Sequence, residues 1–298
     1  MSAQGMSAPA KSGASGKSVA SSSVLARLLR HPSGLVGLLL LLIVVMAAIL
    51  AGWFYPNGPF AMSGPPRIWP GQNPRFPLGT DGLGRDILAG LMHGARVSLA
   101  VGAAAAVGSV AIGTVVGGLS GYYGGWLDDI LMRLTDAMQT IPSFLSALTI
   151  VGVLGPSIVT VTAAIAIVSW PMIARLVRAE FLRLRTYDFV QSCKVIGMSD
   201  MRIIFGQILP NCLASIIVAS SVLVATSIIV EASLSFLKLG DPNVMSWGSI
   251  LGHGRAGLRT AWYITALPGA ALVLTVLALN LVGDALNDVL NPRLKGRR

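Results

Sequence analysis

The chain has 298 residues, of which 54% are hydrophobic and only 11% charged, and its mean hydropathy is +0.73; an ordinary soluble domain has about a quarter of its residues charged. The apolar residues lie in long uncharged runs and do not alternate with polar ones, which excludes a soluble globular domain and indicates one membrane domain solvated mainly by lipid. A formal net charge of +10 would suggest nucleic acid in a soluble protein. Here the basic residues flank apolar runs and do not share one face, so they report membrane topology and no nucleic-acid partner. The two cysteines, Cys193 and Cys212, lack metal-ligand spacing and a companion His cluster. No disulfide framework or zinc site is therefore expected.

In chain order, residues 1–30 are rich in Ser, Ala and Gly and are expected to be a disordered cytoplasmic tail. The run Gly13–Ser18 resembles a phosphate loop, but Lys11 occupies the position that needs the first Gly, and no strand precedes it. Residues 31–96 are assigned to a first transmembrane helix and a long extracytoplasmic segment. The 22 uncharged residues of Gly34–Tyr55 suffice for the helix. The segment after it, about 56–95, contains seven prolines.

Residues 97–290 form the expected transmembrane core. Arg96 and Asp128 bracket a second span, and the glycines from Gly117 to Gly125 place its end near residue 121 and permit close packing. The 38 uncharged residues Ala137–Ala174 divide at Gly152, Gly155 and Pro156 into two spans joined by a tight outer turn. Ile203–Val230 and Thr260–Gly283 complete an all-α polytopic protein of six transmembrane helices. With the N-terminus inside, fifteen Lys and Arg fall on inner segments and seven on outer ones, which puts both termini in the cytoplasm. Residues 291–298 are a basic cytoplasmic tail.

Two outer segments, about 56–95 and 236–260, are long enough to be docking surfaces for a soluble partner. Asp81, Arg85, Asp86, Asp241 and Trp247 are the candidates there. Asp81–Asp86 also resembles a fragment of a dinucleotide-binding glycine pattern, but no strand and helix surround it. Arg96 and Glu231, at the outer ends of the second and fifth spans, are a candidate gate pair. The competing reading is interfacial snorkelling. Asp129, Arg133 and Asp136 have the spacing of local ion pairs on one helix. Asp284 and Asp288 sit where a helix C-terminus opposes carboxylates.

The cytoplasmic segment after the fourth span reads as a short surface helix stopped by Gly197, followed by entry into the fifth span through Leu209-Pro210. Here the chain resembles the permeases of bacterial ATP-binding-cassette importers. Gln191-Ser192-Cys193, Gly197 and Leu209-Pro210 hold the positions of their cytoplasmic signature, without its usual carboxylate and with Gln207 where the general pattern has Ile. Leu78–Asp86, Gly94–Leu99, Glu231–Leu237, Pro268-Gly269, Asn280–Asp284 and Asn291–Leu294 resemble the C-type permease of the dipeptide, oligopeptide and nickel branch.

The resemblance implies a MetI-like type I importer fold and a heterodimer with a sister permease. It also implies two cytoplasmic ATPases that hold ATP and Mg, and an extracytoplasmic solute-binding protein; no cofactor is expected in this chain. By the same resemblance, an ATPase-coupling loop within about 181–212 comprises Tyr187, Asp188, Gln191, Ser192, Cys193, Lys194, Val195, Ile196, Gly197, Met198, Leu209 and Pro210. The alternative is a proton-coupled secondary transporter, which the uncharged interiors of the third and fourth spans disfavour. A non-transporting scaffold is a third reading. No residue pattern supports catalysis within the chain.

Overall fold

The computed structural model describes residues 24–29 and 31–290. The calls on residues 1–23, Arg30 and 291–298, including most of the expected tail, all of the basic tail and the Asn291–Leu294 motif, lie outside the described residues. The disordered-tail expectation is corrected for α1, Val24–Leu29, which is helical. Leu28 is buried. An amphipathic turn can dock where a neighbouring helix offers an apolar face, even inside a segment of polar composition.

Helix α2, Pro32–Phe54, has 23 residues and starts on a proline, whose missing N–H is unneeded in a first turn. At ~1.5 Å per residue it is long enough to cross ~30 Å of hydrocarbon. Helix α3, Ile87–Tyr123, has 37 residues and begins at an Asp86 cap whose carboxylate accepts from the Leu88 N–H. It therefore starts nine residues before Arg96, which is inside the helix and not at its edge. The N-cap fixes the start, because Asp86 satisfies an amide that would otherwise lack a partner.

Helix α6, Ile158–Leu184, packs along α3. The glycine stripe on α3 makes this approach possible. A Cβ at Gly113 would lie 2.8 Å from the Trp170 carbonyl, one at Gly121 would lie 2.8 Å from the Arg178 carbonyl, and one at Gly117 would run into the Ala174 carbonyl. Small residues thus let two backbones meet where lipid provides no hydrophobic drive between helices.

The expected third span is broken. Helix α4, Gly125–Thr140, and helix α5, Ser143–Leu154, meet at 81°. Only 12 residues remain in α5, too few to cross at ~1.5 Å each. The bend sits at Pro142, which pushes Ile141 into extended backbone at φ −93° and ψ 132°. The outer turn at Gly155 and Pro156 is where the glycines placed it, with Gly155 at φ +89°. Among the described residues, five helices are long and apolar enough to cross a membrane, or six if the bent pair is one span.

Helix α8, Asp200–Ile203, runs through a π turn at Ile204–Ile208 into α9, Leu209–Phe236. The wide turn lies immediately before Pro210, whose ring would crowd the carbonyl four residues earlier in a regular helix. The chain then crosses the outer surface through the short helix α10, Trp247–Gly254, and returns in α11, Tyr263–Leu290. The buried core joins α3, α6 and α9 around Ile173, Phe181, Ile208 and Ile216.

Candidate functional site

The bundle presents two polar ends. At the end the basic residues assign to the cytoplasm, α6 stops at Leu184 and the chain turns into helix α7, Asp188–Val195. Val190 is fully buried and Cys193 packs against the same core. The three-residue interval between them sets one inward face. Tyr187, Asp188, Gln191, Ser192, Lys194, Val195 and Ile196 are exposed. Val195 and Ile196 are 86% and 74% exposed, an apolar tip at the end of a polar helix.

Gly197 closes α7 at φ +77°. Its N–H donates to the Lys194 carbonyl, and the Met198 N–H donates to the Cys193 carbonyl, each at 3.0 Å. This is the paired termination that favours glycine, since the left-handed backbone strains a residue with a Cβ. The space around Gly197 is open. Backbone conformation alone therefore requires glycine there.

A set of polar contacts fastens α7 and its flanks to the bundle. The Gln191 side-chain amide donates to the Arg185 carbonyl at 2.8 Å. Arg185 donates to the carbonyls of Gly121 and Tyr122, which end α3. The Tyr122 hydroxyl donates to Asp200 at 2.6 Å, and the Lys194 ammonium stands 5.4 Å from the Tyr122 ring centre. Leu209 packs into the core below, and Pro210 is exposed on α9.

The charged face of α4 differs from the expected local pairs. Asp128 makes a two-bond pair with Arg178 at 2.6 Å and also accepts from Ser120, while Asp136 pairs with Arg175 at 2.6 Å. Neither Asp129 nor Arg133 joins an ion pair among the described residues. The bend at Pro142 lays α4 beside α6, so its carboxylates reach arginines some 40 to 50 positions away in sequence. Sequence reasoning also missed Glu180, which accepts from Ser215 on α9 at 2.8 Å and pairs with Arg183. Its only signal was a lone carboxylate among Arg175, Arg178, Arg183 and Arg185. Asp288 of α11 faces His31 at 3.3 Å.

At the opposite end, the candidate gate pair does not form. The Arg96 guanidinium donates to the Ile49 carbonyl of α2 at 3.4 Å and is exposed. Glu231 is 2% exposed and accepts from Ser98 at 3.1 Å and Ser235 at 2.7 Å. Positions 96 and 98 point to different sides of α3, because residues two apart on a helix do not share a face. Glu231 thus meets the hydroxyl at 98 and not the cation at 96.

Of the docking candidates, Asp86 and Trp247 are buried inside the chain. Trp247 is 2% exposed and its indole N–H donates to the Leu91 carbonyl at 2.9 Å. Burial holds the Asp86 carboxyl above the usual aspartate range, against the pull of the Leu88 and Ala89 amides. Asp81 accepts from the Leu83 and Arg85 amides at 2.8 Å each, so its carboxylate shapes the 81–85 turn. Gly84 in that turn has φ +78° and abuts the Gly64 carbonyl, which explains the glycine-rich pattern without a nucleotide. Asp241 accepts from Asn243 and Ile158 amides at 2.9 and 3.2 Å, and the Asn243 bond first, then that of Ile158, holds it below the usual range.

A helical membrane bundle with a short helix anchored at its basic end and a sealed buried cluster at the other has the build of a transport permease, with no catalytic centre of its own. The chain belongs to the family described as binding-protein-dependent transport system inner membrane component, which matches residues 113–296. Residues 21–73 match the N-terminal transmembrane domain of oligopeptide transport permease C. The chain is 40% identical to the di/tripeptide transport system permease protein DppC of Pseudomonas aeruginosa, covering 87% of this chain and 88% of the relative. It is 41% identical to the dipeptide transport system permease protein DppC of Haemophilus influenzae, covering 89% and 92%. Its identity to the glutathione transport system permease protein GsiD of Escherichia coli is 40%, covering 91% and 89%.

Among solved structures, the inward-facing MetNI methionine ABC transporter aligns with a TM-score of 0.57 and 18% identity, covering 68% of this chain and 96% of that one. This similarity supports the MetI-like fold. The protein is accordingly an inner-membrane permease subunit of an ABC importer, not a proton-coupled secondary transporter. Such a subunit works with a sister permease, and ATP hydrolysis resides in separate ATPase subunits.

Proposed function

We propose that this permease passes short peptides, delivered by an extracytoplasmic binding protein, and that α7 is the lever through which ATPase closure reaches the pathway. The peptide assignment is supported by the printed functions of the dipeptide and di/tripeptide relatives. The observation that carries the lever is the anchoring of α7: Val190 buried, Gly197 at its end, and an exposed apolar tip at Val195 and Ile196. A rigid short helix with one exposed face can lie in a groove of a partner and transmit its displacement. ATP and Mg would be held by the partner ATPases, and the outward apolar faces of α2 and α3 would contact lipid.

The test is uptake of labelled dialanine into vesicles containing the full complex with its binding protein. Uptake should require enclosed ATP and Mg and should be indifferent to an imposed proton gradient. Dialanine left untouched while another solute enters would remove the peptide assignment. Uptake that persists when the exposed tip is replaced, as in Val195→Asp with Ile196→Asp, would remove α7 from the coupling role.

A further inference from the structure

The outer end holds an open cavity of about 450 Å³ between the 56–86 segment, the end of α9 and helix α10. That volume suits a small solute. Its walls include three nitrogen-bearing side chains from three separate segments: Arg85, Lys238 and His253. Asp241 is the one carboxylate in the wall, and its oxygens are taken by the Asn243 and Ile158 amides.

Two of the basic groups are held under conditions that their own packing does not explain. The Arg85 side chain is 15% exposed, and its Nε is buried without a hydrogen-bond partner. Arg85 forms an ion pair with Asp81, but at 3.9 Å the carboxylate oxygen is outside hydrogen-bond range, so the Nε–H is left without an acceptor. The guanidinium carbon lies over the Phe60 ring, 5.3 Å from its centre, a cation–π contact.

Lys238 ends α9 in the left-handed conformation at φ +66°. Its N–H donates to the Ser235 carbonyl and the Leu239 N–H donates to the Leu234 carbonyl. This is the same termination that Gly197 gives α7, but with lysine in the glycine position. A side chain there is strained, and strain of this kind gathers where a group must be held in place for a purpose. Lys238 is exposed and joins no ion pair among the described residues. His253 is held below the ordinary histidine range, chiefly by desolvation and next by the charge on Arg85, so at neutral pH it offers a neutral ring.

We propose that this cavity is a carboxylate-binding vestibule, in which Arg85 and Lys238 hold the carboxylate of the solute at the outer mouth before it enters the pathway. Arginine provides directed N–H donors and lysine a mobile point charge, a combination suited to one small anion. The Asp241 carboxylate keeps its charge, but its oxygens are taken by the Asn243 and Ile158 amides, so it does not compete as an acceptor for the two cations, and an incoming carboxylate can serve the Arg85 Nε–H that has none. The inference rests on the reading that the chain passes peptides or similar carboxylate-bearing solutes.

The experiment uses the full complex in lipid nanodiscs, with Cys193→Ser and Cys212→Ala and a reporter Pro242→Cys at the cavity wall. Modification by an anionic sulfonate thiol reagent is compared with modification by a cationic trimethylammonium reagent, each normalised to a free thiol. The ratio of anionic to cationic modification should fall by about threefold or more in Lys238→Gly and be kept in Lys238→Arg. Lys238→Gly removes backbone strain, so misfolding does not cloud the result. With a neutral thiol reagent, dialanine should protect the reporter and dialaninamide should not.

An unchanged reagent preference in Lys238→Gly overturns the proposal. A preference that falls as expected but without protection by dialanine also overturns it, and indicates that the cations meet acidic side chains of the soluble partner. Protection by dialanine in a complex that does not import dialanine leaves the vestibule standing and removes only the peptide assignment.

Discussion

The cytoplasmic end and the outer mouth use one helix termination for two purposes. At Gly197 and at Lys238 the chain turns through positive φ with the same pair of backbone bonds. Gly197 faces open space, so glycine serves only the backbone and leaves α7 a clean stop. Lys238 carries a cation into a cavity wall at the expense of about 1–2 kcal/mol of backbone strain. The difference teaches that a residue against its conformational preference is the more informative of the two, since geometry alone would select glycine.

The largest effect is expected at Gly197→Val. A β-branched residue is strongly disfavoured at φ +77° and would tilt α7 away from its seat. Strain of about 1–3 kcal/mol would depopulate the seated helix by roughly fivefold to 150-fold. ATP-dependent uptake should collapse and ATPase subunits should fail to co-purify, while the protein stays in the membrane. Full assembly and transport would show that the two terminations do not differ in what depends on them.

Next in size is Glu231→Ala at the outer end. It removes the shared acceptor of Ser98 and Ser235 and leaves two buried O–H donors without that acceptor, at about 1–3 kcal/mol. Protease cleavage between α9 and α10 should become faster, with Glu231→Gln milder because it keeps the volume and one acceptor. Equal cleavage of all three proteins would mean that the cluster does not fasten the outer mouth.

Lys238→Gly should stabilise the chain by about 0.5–1 kcal/mol while weakening the anion preference of the vestibule. Thermal unfolding in detergent reads the first and thiol modification the second. Loss of stability would mean that the lysine side chain packs more favourably than its exposure suggests.

The smaller effects concern single hydrogen bonds. Gln191→Glu should retain uptake within about twofold, because it gives up one exposed bond to the Arg185 carbonyl, and a negative charge is tolerated near the start of α7. Asp241 supplies a pH test. Its folded value is depressed, so the turn it makes with Asn243 and Ile158 is at full strength above the ordinary aspartate value of about 4. That strength is lost as pH falls through the lower folded value. Hydrogen exchange at the Asn243 and Ile158 amides should stay slow to about pH 4 and rise below it, and Asp241→Asn should lack the transition.

Composition and uncharged runs made the membrane class and five of the spans legible, because a chain crossing lipid must satisfy its own backbone groups within a long apolar helix or a closed barrel. The turns at Gly155 and Gly197 were also legible, since a glycine at a helix end has a local backbone reason. The proposal of a coupling loop came from spacing along α7 and from resemblance. The sequence alone does not reveal that α4 and α5 break at 81°, that Asp128 selects Arg178, or that Glu231 meets Ser98 and not Arg96. Those partners are far apart in the chain and depend on which side of each helix faces inward. In lipid the apolar code runs all round a helix, so packing of glycine stripes and bends at prolines decides orientation. The vestibule is the clearest case: Arg85, Lys238 and His253 come from three segments, and only the tertiary fold places them around one cavity.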